Sequence, residues 1–303
     1  MKLKTKDLLT LGELSPKEFS GLINSAIKLK KELIKGNKPV LKNKTLTMIF
    51  QKPSTRTRVS FEIGMYQLGG HAVSLSSNDM QLSRGESTED TAKTLSRYSN
   101  CIMARVYEHD LLEKLAKHAS IPIINGLSDT FHPCQILADF MTIKEKKKKL
   151  KGLKIAWIGD GNNVCNSMIY GAGLAGVKMS IATPKGFEPD KTAIKQAKKT
   201  TDIELTTDPY IATKNADVVV ADTFSSIHNL DKKRLKKFLP KYQVNDKLMQ
   251  SAKKDAIFLH CLPAKREQEV TSSVIDGPQS VVWDEAENRL HTQKALLAAL
   301  IRA

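Results

Sequence analysis

Short apolar runs of four to six residues alternate with longer amphipathic stretches along the chain, and this alternation restricts the fold more than any other feature. Runs of that length, apolar throughout, are expected as strands covered on both faces. Thr45 to Phe50 (TLTMIF), His71 to Ser76, Cys101 to Val106 and Pro122 to Asn125 are the expected strands of the first half. Helical patterns from Ser15 to Lys35, Ser54 to Leu68, Ser87 to Ser99 and Leu111 to His118 separate them. Ser15 followed by Pro16 marks an N-cap with proline at the first helical position, and Gly69-Gly70 stops the second helix. A helix from His132 to about Lys148 leads into a lysine run, and the pattern restarts after Gly152. There the strands expected are Leu153 to Ile158, Lys178 to Ala182, Ala216 to Ala221, Ala256 to Leu259 and Ser280 to Trp283. Helices are expected from Ser167 to Leu174 and from Thr292 to Ile301.

Parallel strands need crossover connections, so strand–helix alternation implies an α/β fold of two domains, each a parallel sheet with helices on both faces. The 303 residues are enough for two such domains. We expect them at 1–150 and 151–303, with the last helix free to pack back on the first domain.

Forty-eight basic against 32 acidic residues leave a formal net charge of +16, a balance that raises nucleic-acid binding as a reading. Only nine of the basic residues are arginine, aromatic content is 6%, and the lysines are scattered, so a lysine-rich surface explains the charge without nucleic acid. The densest run, from Lys144 to Lys154, is expected as a solvated helix end. Cysteines at 101, 134, 165 and 261 form no CxxC pair, which points to reduced thiols. Asp7 and Glu13 interrupt the place where a secretory apolar region would lie, and no charge-free run reads as a membrane span. A soluble cytoplasmic protein with no membrane partner is expected.

Where arginine is scarce, two close together stand out. Arg56 and Arg58 lie in FQKPSTRTR (50–58), where a buried strand ends, Pro53 turns the chain and Ser54 caps a helix. The unpaired N–H groups and positive dipole end of such a helix bind phosphate, with Ser54, Thr55 and Arg56 as further donors. An ordinary capped helix with solvated arginines has the same local pattern. His132 in HPCQ (132–135) starts a helix just past a strand and is suited to donate a hydrogen bond to a developing oxyanion. Cys261 in HCLP (260–263) follows a strand end, where open α/β sheets bind ligands, although most free cysteines are inert. Gly159-Asp160-Gly161 sits between strand and helix as in a dinucleotide turn. Val164 stands in place of the third glycine, and no acid ends the next strand to hold a ribose, so a nicotinamide enzyme is the weaker alternative. No histidine or cysteine cluster has metal-ligand spacing, and no metal is expected.

In order, FQKPSTRTRVSFE (50–62), ARVYEH (104–109), PIINGLSDTFHPCQILADF (122–140), WIGDGNN (157–163), ATPKGFEP (182–189), FLHCLPAK (258–265) and EAENR (285–289) resemble the aspartate/ornithine carbamoyltransferase family. HCLP, in place of an HPLPR pattern, favours its ornithine branch. The resemblance implies carbamoyl phosphate held mainly by the N-terminal half, L-ornithine by the C-terminal half, a homotrimer with sites completed by a neighbouring subunit, and no cofactor. It assigns Ser54, Thr55, Arg56 and Thr57 to the phosphate end and Arg105, His132 and Gln135 to the carbamoyl end, with Gln81 reaching in from a neighbour. Cys261 and Leu262 would line the reaction centre with Arg289 nearby, and Asn163, Asp222, Ser226 and Ile227 would bind ornithine. Arg105, His132, Cys261 and Asp222 are the residues expected to take part in catalysis. The product would be L-citrulline, made for arginine biosynthesis; putrescine, N-acetylornithine and aspartate are the alternative amines.

One departure from the family pattern concerns the segment after Asp222. Ser-Met-Gly is usual there, whereas this chain has Ser226-Ile227-His228, trading a flexible residue and a glycine for a β-branched residue and an imidazole. Slower or weaker closure of that segment over ornithine is the expected effect.

Overall fold

The computed structural model describes residues 3–33, 36, 38–76, 80, 81, 85–224 and 232–301. The chain forms two compact units, one of residues 1–141 with 287–303 and one of residues 142–286. By contacts the division falls after Met141, nine residues before the boundary expected at 150, and residues 287–303 at the end of the last helix group with the first unit.

The first unit opens with α1 (Pro16–Glu32), whose start is fixed by a reciprocal capping pair. The Ser15 hydroxyl accepts from the Glu18 N–H at 3.3 Å, and the Glu18 carboxylate accepts from the Ser15 N–H at 2.9 Å. There follow β1 (Thr45–Phe50), α2 (Thr55–Gln67), β2 (His71–Ser76), α3 (Thr88–Tyr98), β3 (Cys101–Arg105), α4 (His109–His118), β4 (Ile123–Leu127) and α5 (Pro133–Lys147). The strands form one sheet in the order β2-β1-β3-β4, with every pair parallel. From β1 the chain first goes outward to β2 and then crosses back to β3 on the other side. Phe50 pairs with Ser76 on one flank and Arg105 on the other, so the carboxyl ends of β1 and β3 flank a topological switch point. Ligands of open parallel sheets bind in the crevice outside such a point.

The second unit repeats the logic with β5 (Lys154–Ile158), α6 (Asn163–Ala175), β6 (Lys178–Ala182), α7 (Lys191–Ala197), β7 (Ile203–Thr206), α8 (Pro209–Thr213) and β8 (Val218–Ala221). It continues through α9 (Lys232–Phe238), α10 (Asp246–Met249), β9 (Ile257–His260) and α11 (Ser272–Ile275) to the start of α12 (Val282–Ile301). Its parallel sheet has the order β7-β6-β5-β8-β9, and the switch point lies between β5 and β8. A core of Ile158, Val219, Phe224, Phe238, Phe258 and their neighbours fills one side.

Two expectations need correction, and one strand was not foreseen. The stretch from Ser280 to Trp283 is not a strand: Ser280 makes one bridge to Phe258, and α12 begins at Val282, with Asp284 and Glu285 in a first turn whose dipole favours acids. The helix is therefore ten residues longer at its start than its apolar pattern suggested. The lysine run is only partly solvated, because the Lys147 side chain is 8% exposed and pairs with Asp255 at 2.9 Å, while Lys146 reaches Asp284 at 2.9 Å. Strand β7 was not foreseen; it lies at the sheet edge, where Glu204 and Leu205 stay exposed and break the apolar run.

The glycines of the β5–α6 turn have structural tasks. Gly159 has φ +125°, and a Cβ there would stand 2.7 Å from the Phe224 ring. At Gly161 a Cβ would meet the backbone of residues 187–189 at 2.3–2.6 Å. The close approach that glycine grants a pyrophosphate in a dinucleotide turn is taken here by the protein's own chain, which removes the basis of the nicotinamide reading.

Candidate active site

In the first unit, α2 starts directly outside the carboxyl end of β1. Ser54 is its N-cap, accepting from the Thr57 N–H at 3.3 Å, and Thr55, Arg56 and Thr57 form the first turn. Arg105 ends β3 beside it, and its carbonyl accepts from the Gln51 N–H at 2.9 Å. His132 and Gln135 come from the start of α5 and are both buried.

Arg289 on α12, itself 3% exposed, ties these pieces together. Its Nη1 donates to Gln135 Oε1 at 2.7 Å, its Nη2 to Thr57 Oγ1 at 3.1 Å and its Nε to Gln293 Oε1 at 3.0 Å. Gln135 Nε2 donates in turn to Asp139 at 2.8 Å. Gln293 donates to Ser60 Oγ at 2.7 Å, and Ser60 donates to the Arg56 carbonyl at 2.6 Å. One continuous chain thus runs from Asp139 to the backbone of Arg56. The residues at 56, 57, 135 and 289 are brought together as expected, but Arg289 acts as the organiser of Thr57 and Gln135. Thr57 Oγ1 accepts from the guanidinium, which leaves its own hydroxyl proton available as a donor. Gln81 lies outside this chain; it is exposed, and its carbonyl accepts from the Glu86 N–H at 3.1 Å.

Burial, reinforced by the positive charges of Arg289, Arg105 and Arg56, holds the His132 imidazole well below its ordinary pKa. A neutral imidazole is a hydrogen-bond donor that needs no proton from solvent. The sign of the linkage follows: in the unfolded chain this histidine protonates near pH 6.5, in the folded chain it does not, so its contribution to stability is lost as pH falls below about 6.5. In a histidine-labelled NMR titration assigned with His132→Asn, the His132 signal should keep its neutral chemical shift from pH 8 down to about pH 6. A midpoint near the free-histidine value would refute the neutral donor.

In the second unit the carboxyl ends of β5, β8 and β9 converge on Asp222. The Asn162 side chain caps α6, accepting from Val164 and Cys165 N–H at 3.0 and 3.1 Å, while its Nδ2 donates to Asp222 Oδ2 at 2.7 Å. The Cys261 thiol donates to Asp222 Oδ1 at 3.1 Å. Asn162 was missed by sequence reasoning, which chose its neighbour Asn163, the first residue of α6. Because the helix was expected only from Ser167, four residues after its observed start at Asn163, Asn162 was not placed at a cap position.

Leu262 has φ +58°, a left-handed conformation strained for a side chain of its size. Its N–H donates to His260 Nδ1 at 2.9 Å; the other ring nitrogen, Nε2, faces Glu269 Oε1 at 3.2 Å, and the His260 N–H donates to Glu285 at 2.9 Å. His260 and both acids are buried, so this trio holds the turn after β9 in place. Asp222, His260 and Cys261 lie close enough to suggest a metal site, but both His260 nitrogens are already engaged, and the group does not supply three ligands. Ser226 and Ile227, with His228, lie outside the described residues. All four cysteines are free. No helix among the described residues is long and apolar enough to cross a membrane.

Two parallel sheets, one with a cationic helix terminus at its switch point and one with a carboxylate, an amide and a thiol, define a two-domain α/β protein. Residues 6–145 match the model of the carbamoyl-phosphate-binding domain of aspartate/ornithine carbamoyltransferases, and residues 151–300 match that of the aspartate/ornithine-binding domain. The chain is 61% identical to an ornithine carbamoyltransferase of Cenarchaeum symbiosum over 300 residues, 99% of each chain. It is 53% identical to that of Bacillus subtilis over 303 residues, covering 98% of this chain and 94% of the relative. The solved ornithine carbamoyltransferase of Pyrococcus furiosus superposes with a TM-score of 0.95 at 50% identity, covering 98% and 97% of the two chains. The chain belongs to the aspartate/ornithine carbamoyltransferase family.

Proposed function

We propose that the protein is an ornithine carbamoyltransferase, transferring the carbamoyl group of carbamoyl phosphate to the δ-amine of L-ornithine to give L-citrulline and phosphate. The observation that carries the reading is the chain of buried hydrogen bonds that fixes Thr57 and Gln135 beside the α2 terminus and the neutral His132. The first unit holds carbamoyl phosphate. Ser54, Thr55, Arg56 and Thr57 take its phosphate, and Arg105, His132 and Gln135 meet its carbamoyl end. The second unit holds ornithine, whose α-ammonium pairs with Asp222 beside Asn162 and Asn163.

The reactive δ-amine must first shed its ammonium proton, since an alkyl ammonium is mostly protonated at neutral pH. Its lone pair then forms the C–N bond to the carbamoyl carbon. The resulting oxyanion is met by donors already aimed at it, from Arg105, His132 and Thr57. As the intermediate collapses, the carbon–oxygen bond to phosphate breaks and the electron pair leaves with the phosphate, whose growing charge falls on the helix terminus and Arg56. The departing phosphate takes the nitrogen's extra proton, and no group in this sequence of steps calls for a metal or organic cofactor.

The biosynthetic direction, toward arginine, and a cytoplasmic setting accord with this chemistry. The trimer implied by the resemblance remains part of this proposal; Val59, Ile63 and Tyr66, which are 44%, 42% and 75% exposed on one face of α2, support self-association without fixing its number. In that assembly Gln81 would serve a neighbour's site.

The test is incubation with carbamoyl phosphate and, separately, L-ornithine, L-aspartate, putrescine and N-acetylornithine, with detection of the carbamoylated product. Citrulline from ornithine, and no other product, is expected. Product from another amine alone would overturn the choice of substrate, and none from any amine would overturn the enzyme reading.

A further inference from the structure

We propose that Arg234 is a positioning residue for the amine pocket. Its guanidinium clamps the chain leaving β8 to the β5–α6 turn and so holds the Asp222 carboxylate in line for the ornithine ammonium. This inference rests on the proposed substrate.

Arg234 lies on α9, yet its polar atoms engage two other elements. Its Nε donates to the Phe224 carbonyl at 2.8 Å, two residues beyond Asp222, and its Nη2 bonds the Asp160 carboxylate in the β5–α6 turn. The guanidinium also lies over the Phe187 and Phe238 rings, 4.7 and 5.5 Å from their centres. Phe224 stacks on Phe238 at 4.7 Å with the rings 14° apart, and its other contact is the space that Gly159 leaves without a Cβ. The clamp therefore has a seat, a stack and two directional bonds, and the fork geometry of arginine is needed for all of them.

The same turn supplies Asn162, which bonds Asp222 directly. Two links thus join the turn to the chain around Asp222, and Arg234 makes the outer one. Its charge has a second effect. Asp160 is largely buried, and burial pushes its carboxyl up to about 6, with the charge of Asp222 adding to the rise and Arg234 opposing it. Asp160 is thereby engaged by Arg234, while Asp222 is held by Asn162 and Cys261 without a charged partner among these contacts.

Arg234→Met and Arg234→Lys should be made in the full-length protein and in a Trp283→Phe background. That background leaves Trp157 as the only tryptophan; Trp157 is buried and its indole N–H donates to the Asp160 carbonyl at 2.9 Å. The methionine variant should raise the ornithine KM on the order of 10-fold, leave kcat and the carbamoyl phosphate KM within about 3-fold, and shift the Trp157 emission. Lysine keeps the charge but loses the bond to the Phe224 carbonyl, and should restore only part of the ornithine KM. A folded Arg234→Met protein with a wild-type ornithine KM would overturn the proposal, as would equal losses for both substrates. If the wild-type protein does not carbamoylate ornithine, the substrate reading fails on its own; the clamp is then refuted by unchanged Trp157 emission in either variant and upheld by a shift.

Discussion

Arg56→Ala should lower kcat/KM for carbamoyl phosphate by at least about 10²–10³-fold, the usual cost of removing one fixed donor from a developing anion. The side chain leaves the first turn of α2, where the helix N–H groups and dipole already favour a phosphate, so its charge adds to a field pointing the same way. Much of the loss should fall on kcat, because the phosphate gains charge as its bond to carbon breaks and the guanidinium meets that charge most strongly in the transition state. The ornithine KM should move little. Arg56→Lys retains a point charge but not a bidentate fork and should recover only part of the rate. Steady-state kinetics with each substrate varied separately decides the matter, and wild-type-like constants for the alanine variant would remove the phosphate site from α2.

Asp222→Asn should raise the ornithine KM by about 10²-fold while leaving the carbamoyl phosphate KM near its wild-type value, in keeping with the 2–5 kcal/mol typical of cutting one partner from a buried charge pair. Asparagine is nearly isosteric, but its amide nitrogen would face either the Asn162 amide nitrogen or the Cys261 thiol, both of which donate to Asp222 in the native protein. The variant therefore loses its charge and sets donor against donor at the same point. Equal losses for both substrates would show instead that Asp222 supports the unit as a whole.

The strands at the centre of each sheet were legible because burial on both faces leaves uninterrupted apolar runs, as in Thr45–Phe50 and Lys154–Ile158. The short helices α7 to α11, of four to seven residues, were not assigned because each is too brief for a helical period to declare itself. At Ser280 the apolar letters were right and the geometry was not: one bridge to Phe258 satisfies the backbone before Glu285 N–H closes the first turn of α12.

The start of α2, proposed above to take the phosphate, stood out because a capped helix start coincided with a rare pair of arginines. The state of His132 was not, since it depends first on burial and then on Arg289, Arg105 and Arg56, which only folding brings about. Arg234 and Asp160 are 74 residues apart with no motif between them, and only the fold makes them partners.

Arg289 also bears on how the protein is made. The second unit is a continuous stretch, 142–286, whereas the first is completed by residues 287–303. During synthesis from the amino terminus, Thr57 and Gln135 leave the ribosome long before the guanidinium that organises them. The nascent chain can fold its second unit first, and Thr57 and Gln135 stay without their guanidinium partner until α12 has been released.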